Sequence, residues 1–178
     1  MAMKEQGTEG TGSAREDALT KATPIGDARR IAETPCIVRE DDDLFEVAKA
    51  LSVHRRVHTV AVVNAAGTLV GIIPVRLLVD ELFLQVAPEE FLTDILDQGR
   101  MEQYGRMVQA RTAGELMQPP VSVTVNDTIG GAFALMHDHD LEGLPVVDEE
   151  QRPSGYLDRL ELLKVWLQEH RSGASPAP

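Results

Sequence analysis

The sequence predicts an α/β (α+β) fold in which two copies of a β-α-β-β-α unit flank a helical insert, and three observations carry this. The stretch Leu141 to Leu163, LEGLPVVDEEQRPSGYLDRLELL, has a degraded copy at Val57 to Leu78, VHTVAVVNAAGTLVGIIPVRLL. An apolar helix face at i, i+3, i+4 and i+7, made by Leu44, Val47, Ala48 and Leu51, recurs 85 residues on as Ile129, Ala132, Phe133 and Met136. Past that helix the offset drops to 84, pairing Val57 with Leu141, Val60 with Leu144, Ala61 with Pro145, Val62 with Val146, Val63 with Val147, Gly71 with Gly155 and Leu78 with Leu162. One deletion between helix and strand explains the change, and agreement at so many core-type positions marks an internal duplication.

Composition bounds the function classes. With 178 residues and 43% hydrophobic content the chain can bury a core as one domain or two small ones. A net charge of -12 argues against binding a nucleic-acid backbone. No apolar run reaches bilayer length and the N-terminus lacks the apolar core of a secretion signal, so the expectation is a cytoplasmic protein without membrane insertion. The single cysteine, Cys36, permits no internal disulfide and lies in an apolar CIV run, as a small core residue would.

In chain order, residues 1 to 23 read as a disordered leader or tag remnant. The first copy spans residues 24 to 83. Ile25 to Glu33 is a short helix or turn that ends before the Thr34-Pro35 step. A strand over Cys36 to Arg39 follows, and then Asp41, Asp42 and Asp43 precede the first helix as caps, with Asp43 and Glu46 at capping-box spacing. In both copies the second strand is a continuous apolar run, AVV and PVV, which suits a sheet interior. Ala65-Ala66-Gly67 and Glu149-Glu150-Gln151 supply the hairpin turns.

Residues 84 to 110 form the insert, where Pro88, Glu89 and Glu90 open one helix, Gly99 stops it, and a second spans Arg100 to Ala110. Phe91, Ile95, Tyr104, Met107 and Val108 give these helices an apolar stripe that packs on the protein itself or on a subunit partner. The second copy spans residues 111 to 170. Its first strand, Val121 to Val125, alternates apolar and polar residues, and its last helix runs from Leu160 to His170. Residues 171 to 178 read as a disordered tail. A unit this small cannot cover both faces of its own sheet, so the copies should pack together.

Catalytic motifs are absent: there is no Gly-rich phosphate loop, paired-cysteine motif, HExxH or GxSxG turn, and the chain reads as non-enzymatic. The HDHD run at His137 to Asp140 has metal-ligand composition, but i, i+2 spacing at a helix end favours a solvated terminus. The strongest chemical feature is Gly155-Tyr156-Leu157-Asp158-Arg159-Leu160-Glu161, which ends a strand and opens a helix. A helix start exposes amides to a ligand, and a carboxylate one turn in can receive hydrogen bonds from vicinal hydroxyls.

The doubled pattern, with its LPVVD run followed by a Gly-aliphatic-aliphatic turn ending in an acid, resembles a tandem pair of cystathionine β-synthase-type (CBS) domains from about Ile25 to Glu169, apart from the insert. The resemblance implies a pseudo-twofold module with two clefts, a homodimer, and a regulatory role in which an adenosine-containing ligand such as AMP, ADP, ATP or S-adenosylmethionine changes contact with an as yet unknown protein partner. No cofactor is required. The family's ligand turn is G-h-h-[ST]-x-x-D, and both copies depart from it. The first copy has Pro74 at the hydroxyl position and Leu77 at the ribose acid, so its cleft lacks ordinary nucleotide recognition. The second has Asp158 and Glu161; Glu161 can reach a ribose, whereas Asp158 repels phosphate unless a cation intervenes.

By the same resemblance, the run His54-Arg55-Arg56-Val57-His58 lies where some nucleotide-sensing relatives contact phosphate, so Arg56 and His58 are binding candidates, with His58 reaching across to a phosphate in the second copy's cleft and offsetting Asp158; a solvated helix end is the plainer reading. Val121, Val123, Leu144 and Pro145 are the implied surroundings of an adenine, although any core would use such residues. Two other functions fit the sequence: a ligand-free dimerisation or scaffold module, suggested by the altered turns, and a divalent-cation sensor, suggested by the acidic balance.

Overall fold

A computed structural model describes residues 20–27, 32–86, 110–163 and 167. Residues 1–19 of the predicted leader, the tail, and the insert helices apart from Ala110 lie outside these residues, as do Phe91, Ile95, Tyr104, Met107 and Val108. The end of the expected leader, residues 20–23, is instead an ordered turn whose Lys21 and Thr23 carbonyls accept from the Gly130 and Ile129 amides. A two-residue strand, β1 (Ala32–Glu33), precedes the first copy, which runs β2 (Ile37–Arg39), α1 (Leu44–Leu51), β3 (Thr59–Val63), β4 (Leu69–Pro74) and α2 (Val75–Val86). A short helix, α3 (Ala113–Leu116), leads into the second copy: β5 (Val123–Thr124), α4 (Ile129–Asp138), β6 (Gly143–Val147) and β7 (Pro153–Asp158). Residues 159–163 and 167 are helical.

Each copy repeats the same local logic. Asp42 accepts from the Arg39 amide at 2.8 Å, and its counterpart Asp127 accepts from the Thr124 amide at 2.7 Å, so a carboxylate closes the first strand in both. Asp43 then caps α1 through the Phe45 amide, and Thr128 caps α4 through that of Gly131. The reciprocal capping box expected of Asp43 and Glu46 forms instead at α3, between Thr112 and Glu115. The strand expected over Val121 to Val125 is shorter, because Val125 already belongs to the turn that Asp127 closes.

The two sheets have matching order. In β2-β3-β4 the first pair is parallel and the second antiparallel, and β5-β6-β7 repeats this; β3 and β6, central and buried at every residue, are the continuous apolar runs. Gly67 and Gln151, the last residues of the two hairpin turns, both have positive φ, 81° and 60°.

The copies are joined by exchanged leading segments. β1 pairs antiparallel with β7 of the other copy, with Glu33 opposite Tyr156. In return, Gln118, ahead of the second copy, exchanges two backbone bonds of 2.9 and 3.1 Å with Ile72 on β4. The segments just upstream do the same: Ile25 and Gly26 donate to Asp127 and Val125 carbonyls, whereas Ala113 and Gly114 donate to those of Asp42 and Glu40. The sequence reading of Ile25 to Glu33 as helix or turn is therefore corrected at its end. Ala32 and Glu33 are extended because β7 offers an edge with open hydrogen-bonding groups.

Side chains cross as well. Tyr156, fully buried, packs in the first copy's core beside Val47, Val60 and Leu78, whereas Ala61, Leu69 and its counterpart Ile72 pack in the second copy's core. Each core is thus finished by the other copy's sheet, the solution expected of units too small to stand alone. Cys36 is buried in the first core, where desolvation pushes its thiol up to about 11.

Candidate functional site

The β7-to-helix turn places its acids at the seam between the copies. Asp158 ends β7 with its side chain only 6% exposed, and its Oδ1 accepts from the amides of Leu160 at 2.8 Å and Glu161 at 3.0 Å. It is thus an N-cap for the helix that opens at residue 159. Its other oxygen meets His58 Nδ1 at 3.3 Å, so the imidazole crosses from the first copy and pairs with this carboxylate. Glu161, one turn further, is largely enclosed and lies 3.4 Å from Arg56 Nη1. The same guanidinium nitrogen donates to Glu33 on β1 at 2.9 Å. These two carboxylates, Glu33 foremost, raise the pKa of Arg56 above its ordinary value.

Tyr156 supports this cluster from below. Its phenol oxygen accepts from the His58 backbone amide at 2.9 Å, which fixes the strand entry that carries the imidazole. Burial pushes the phenol's pKa up to about 12. The ring crosses Gly143, where any Cβ would collide with the phenol oxygen, so this position on β6 admits only glycine without rearrangement. The neighbouring Thr59 hydroxyl is buried and has no partner in hydrogen-bonding geometry among the described residues.

The counterpart in the first copy has the opposite chemistry. Pro74 and Leu77 stand 84 residues before Asp158 and Glu161, and Asp140 and Glu142 stand 84 after Arg56 and His58. A backbone bond survives in both: Val75 donates to the His58 carbonyl at 2.9 Å and Arg159 to that of Glu142 at 2.8 Å. Bases cross to meet acids in the second cleft. At the first, an acid crosses: Asp140 lies 3.4 Å from Arg76 in a well-exposed pair, whereas Glu142 stays with its own copy, 3.9 Å from the Arg159 guanidinium.

Of the residues singled out in the sequence, Arg56, His58, Asp158 and Glu161 come together at one place. Val121 is half-buried at the edge of the second core, whereas Val123 and Leu144 are buried within it; Pro145 is buried on β6 opposite Tyr156. Glu33 and Tyr156 were not anticipated. Glu33 joins the site only through strand exchange, and Tyr156 read as an ordinary aliphatic-type position of the turn. His137, Asp138 and His139 are exposed at the end of α4, and among the described residues no three His, Cys, Asp or Glu side chains gather as a metal site.

Two α/β units with exchanged leading strands and a charged seam behind each last strand define a paired-domain architecture. The family model for the CBS domain matches residues 23–84 and 113–168, more than half of the chain, and the chain belongs to that family as a tandem pair. No curated protein sequence matches it. Among solved structures it is similar to a CBS domain-containing protein from Thermotoga maritima, with TM-score 0.65 and 25% identity over 84% of this chain and 97% of that one. It also resembles the CBS domain pair of protein MJ0100 in complex with 5′-methylthioadenosine and S-adenosyl-L-methionine, with TM-score 0.60 and 19% identity over 83% and 98% of the two chains. CBSX2 of Arabidopsis thaliana, in complex with AMP, aligns with TM-score 0.59 and 21% identity over 83% and 98%. No helix among the described residues is long and apolar enough to cross a membrane.

Proposed function

We propose that the chain is a non-enzymatic, cytoplasmic regulatory module whose second-copy cleft binds an adenosine-containing metabolite and signals its presence to a protein partner. The observation that carries this is Glu161: an enclosed carboxylate in the first turn of a helix, held at the seam by Arg56 of the other copy. A carboxylate so placed can accept both vicinal hydroxyls of a ribose. The adenosine ligands carried by structures of the same fold support the choice of ligand class.

Signalling follows from the same contact. A ribose that takes Glu161 competes with Arg56, and Arg56 also holds Glu33 on the exchanged strand β1. Occupancy therefore loosens one tie between the copies, and a partner that distinguishes the two arrangements reads the ligand. The module acts as a homodimer in this account, since α2 exposes Val79 and Phe83 and the last helix exposes Leu163 and Leu167, equivalent apolar positions on both copies.

Calorimetric titration of the full chain with AMP, ADP, ATP and S-adenosylmethionine tests the proposal. Heat of binding from at least one is expected, and none at millimolar ligand overturns it. A ligand-free scaffold is the second reading, favoured by the way the seam's acids and bases satisfy one another. Under it, Glu161→Ala alters stability alone.

A further inference from the structure

The second cleft carries its own anion. At the mouth of its helix, the groups able to receive a phosphate are the Leu160 and Glu161 amides and the His58 imidazole, and all three already contact the buried carboxylate of Asp158. The next cation, Arg56, is held by Glu161 and Glu33. Counting side chains, Asp158, Glu161 and Glu33 face one guanidinium and one imidazole, so an entering phosphate meets a net negative field, and the amides at the helix start are already taken.

We infer that Asp158 is the specificity-determining residue of this cleft, a built-in carboxylate that selects nucleosides with an uncharged or cationic 5′ substituent and rejects 5′-phosphates. Asp158 and Glu161 are one helical turn apart, a separation matched by that between a ribose's vicinal hydroxyls and its 5′ end. With the hydroxyls on Glu161, the 5′ substituent lies beside Asp158. A thioether or a hydroxyl there is tolerated, a sulfonium is attracted, and a phosphate is repelled.

The inference rests on the proposed binding of adenosine-type ligands, and the test separates the two. The full chain is titrated calorimetrically with adenosine, S-adenosylmethionine, AMP and ADP. Adenosine and S-adenosylmethionine are expected to bind at least about tenfold more tightly than AMP, with a further fall for ADP. Asp158→Asn keeps a capping oxygen but removes the charge, and should shrink the adenosine-to-AMP affinity ratio by about tenfold. AMP binding as tightly as adenosine to the unaltered chain overturns the inference and leaves the ligand class standing. Failure of all four ligands removes both. The unaltered series alone decides the matter if the variant does not fold, since affinity must then fall with each added phosphate.

Discussion

The two seams of this protein share a backbone and differ in what they hold. In both, the residue after the last strand donates to a carbonyl ahead of the central strand of its own copy, at 2.9 Å for Val75 and 2.8 Å for Arg159. Around one of these bonds lie Pro74 and Leu77, around the other Asp158 and Glu161. Duplication supplied two equivalent turns, and one now carries Asp158 and Glu161 where the other carries Pro74 and Leu77. Backbone topology makes a cleft; a few side chains on its rim decide whether it has chemistry.

The largest effects should come from breaking what the halves share. Tyr156→Ala is expected to cost about 3–5 kcal/mol and Ile72→Ala about 2–5 kcal/mol, because each empties a site in the other copy's core. Both variants should still unfold in urea as one cooperative transition. Two separated transitions would show that the copies fold independently and that the exchange is incidental.

Alkali should distinguish the halves next. Tyr156 titrates near 10 when exposed and at about 12 when buried, so its contribution is complete below pH 10 and is lost as pH rises through about 12. The loss amounts to about 3 kcal/mol at most. Cys36, raised from 9.0 to about 11, adds a loss in the same direction starting one unit lower. Denaturant midpoints across this range should fall less steeply in Tyr156→Phe, since the first copy's counterpart is the non-titrating Ile72.

Binding should follow the rim. Glu161→Ala is expected to weaken the adenosine ligand by about 10- to 100-fold, the range of a lost hydrogen bond to a charged group, whereas Leu77→Ala should leave affinity within about twofold. The exposed arginines should matter little: removing Arg56 should tighten binding roughly threefold by releasing Glu161, and the smallest effect of all, none, is expected on removing Arg76. Equal losses at Leu77 and Glu161 would erase the distinction between the clefts.

Much of this architecture was legible in the sequence because burial imposes periodicity. The apolar face of α1 repeats in α4, and the buried runs of β3 and β6 stand out as unbroken apolar stretches. The meeting of His58 with Asp158 was half legible: the imidazole does cross to the second cleft, but it meets the carboxylate. The exchange of leading strands was hidden because Ala32 and Glu33 are too short to show alternation and owe their conformation to a distant edge. One signal did exist, Ile25-Gly26-Asp27 against Ala113-Gly114-Glu115, but its offset of 88 differs from the 85 and 84 of the rest. Tyr156 was missed because nothing local says that its ring crosses into the other core.

The central claim is that the clefts are unequal, and binding stoichiometry tests it most directly. Calorimetry of the full chain with adenosine or S-adenosylmethionine should give one ligand per chain, abolished or strongly weakened by Glu161→Ala. Two equivalent ligands per chain, or one that survives Glu161→Ala undiminished, would contradict the account.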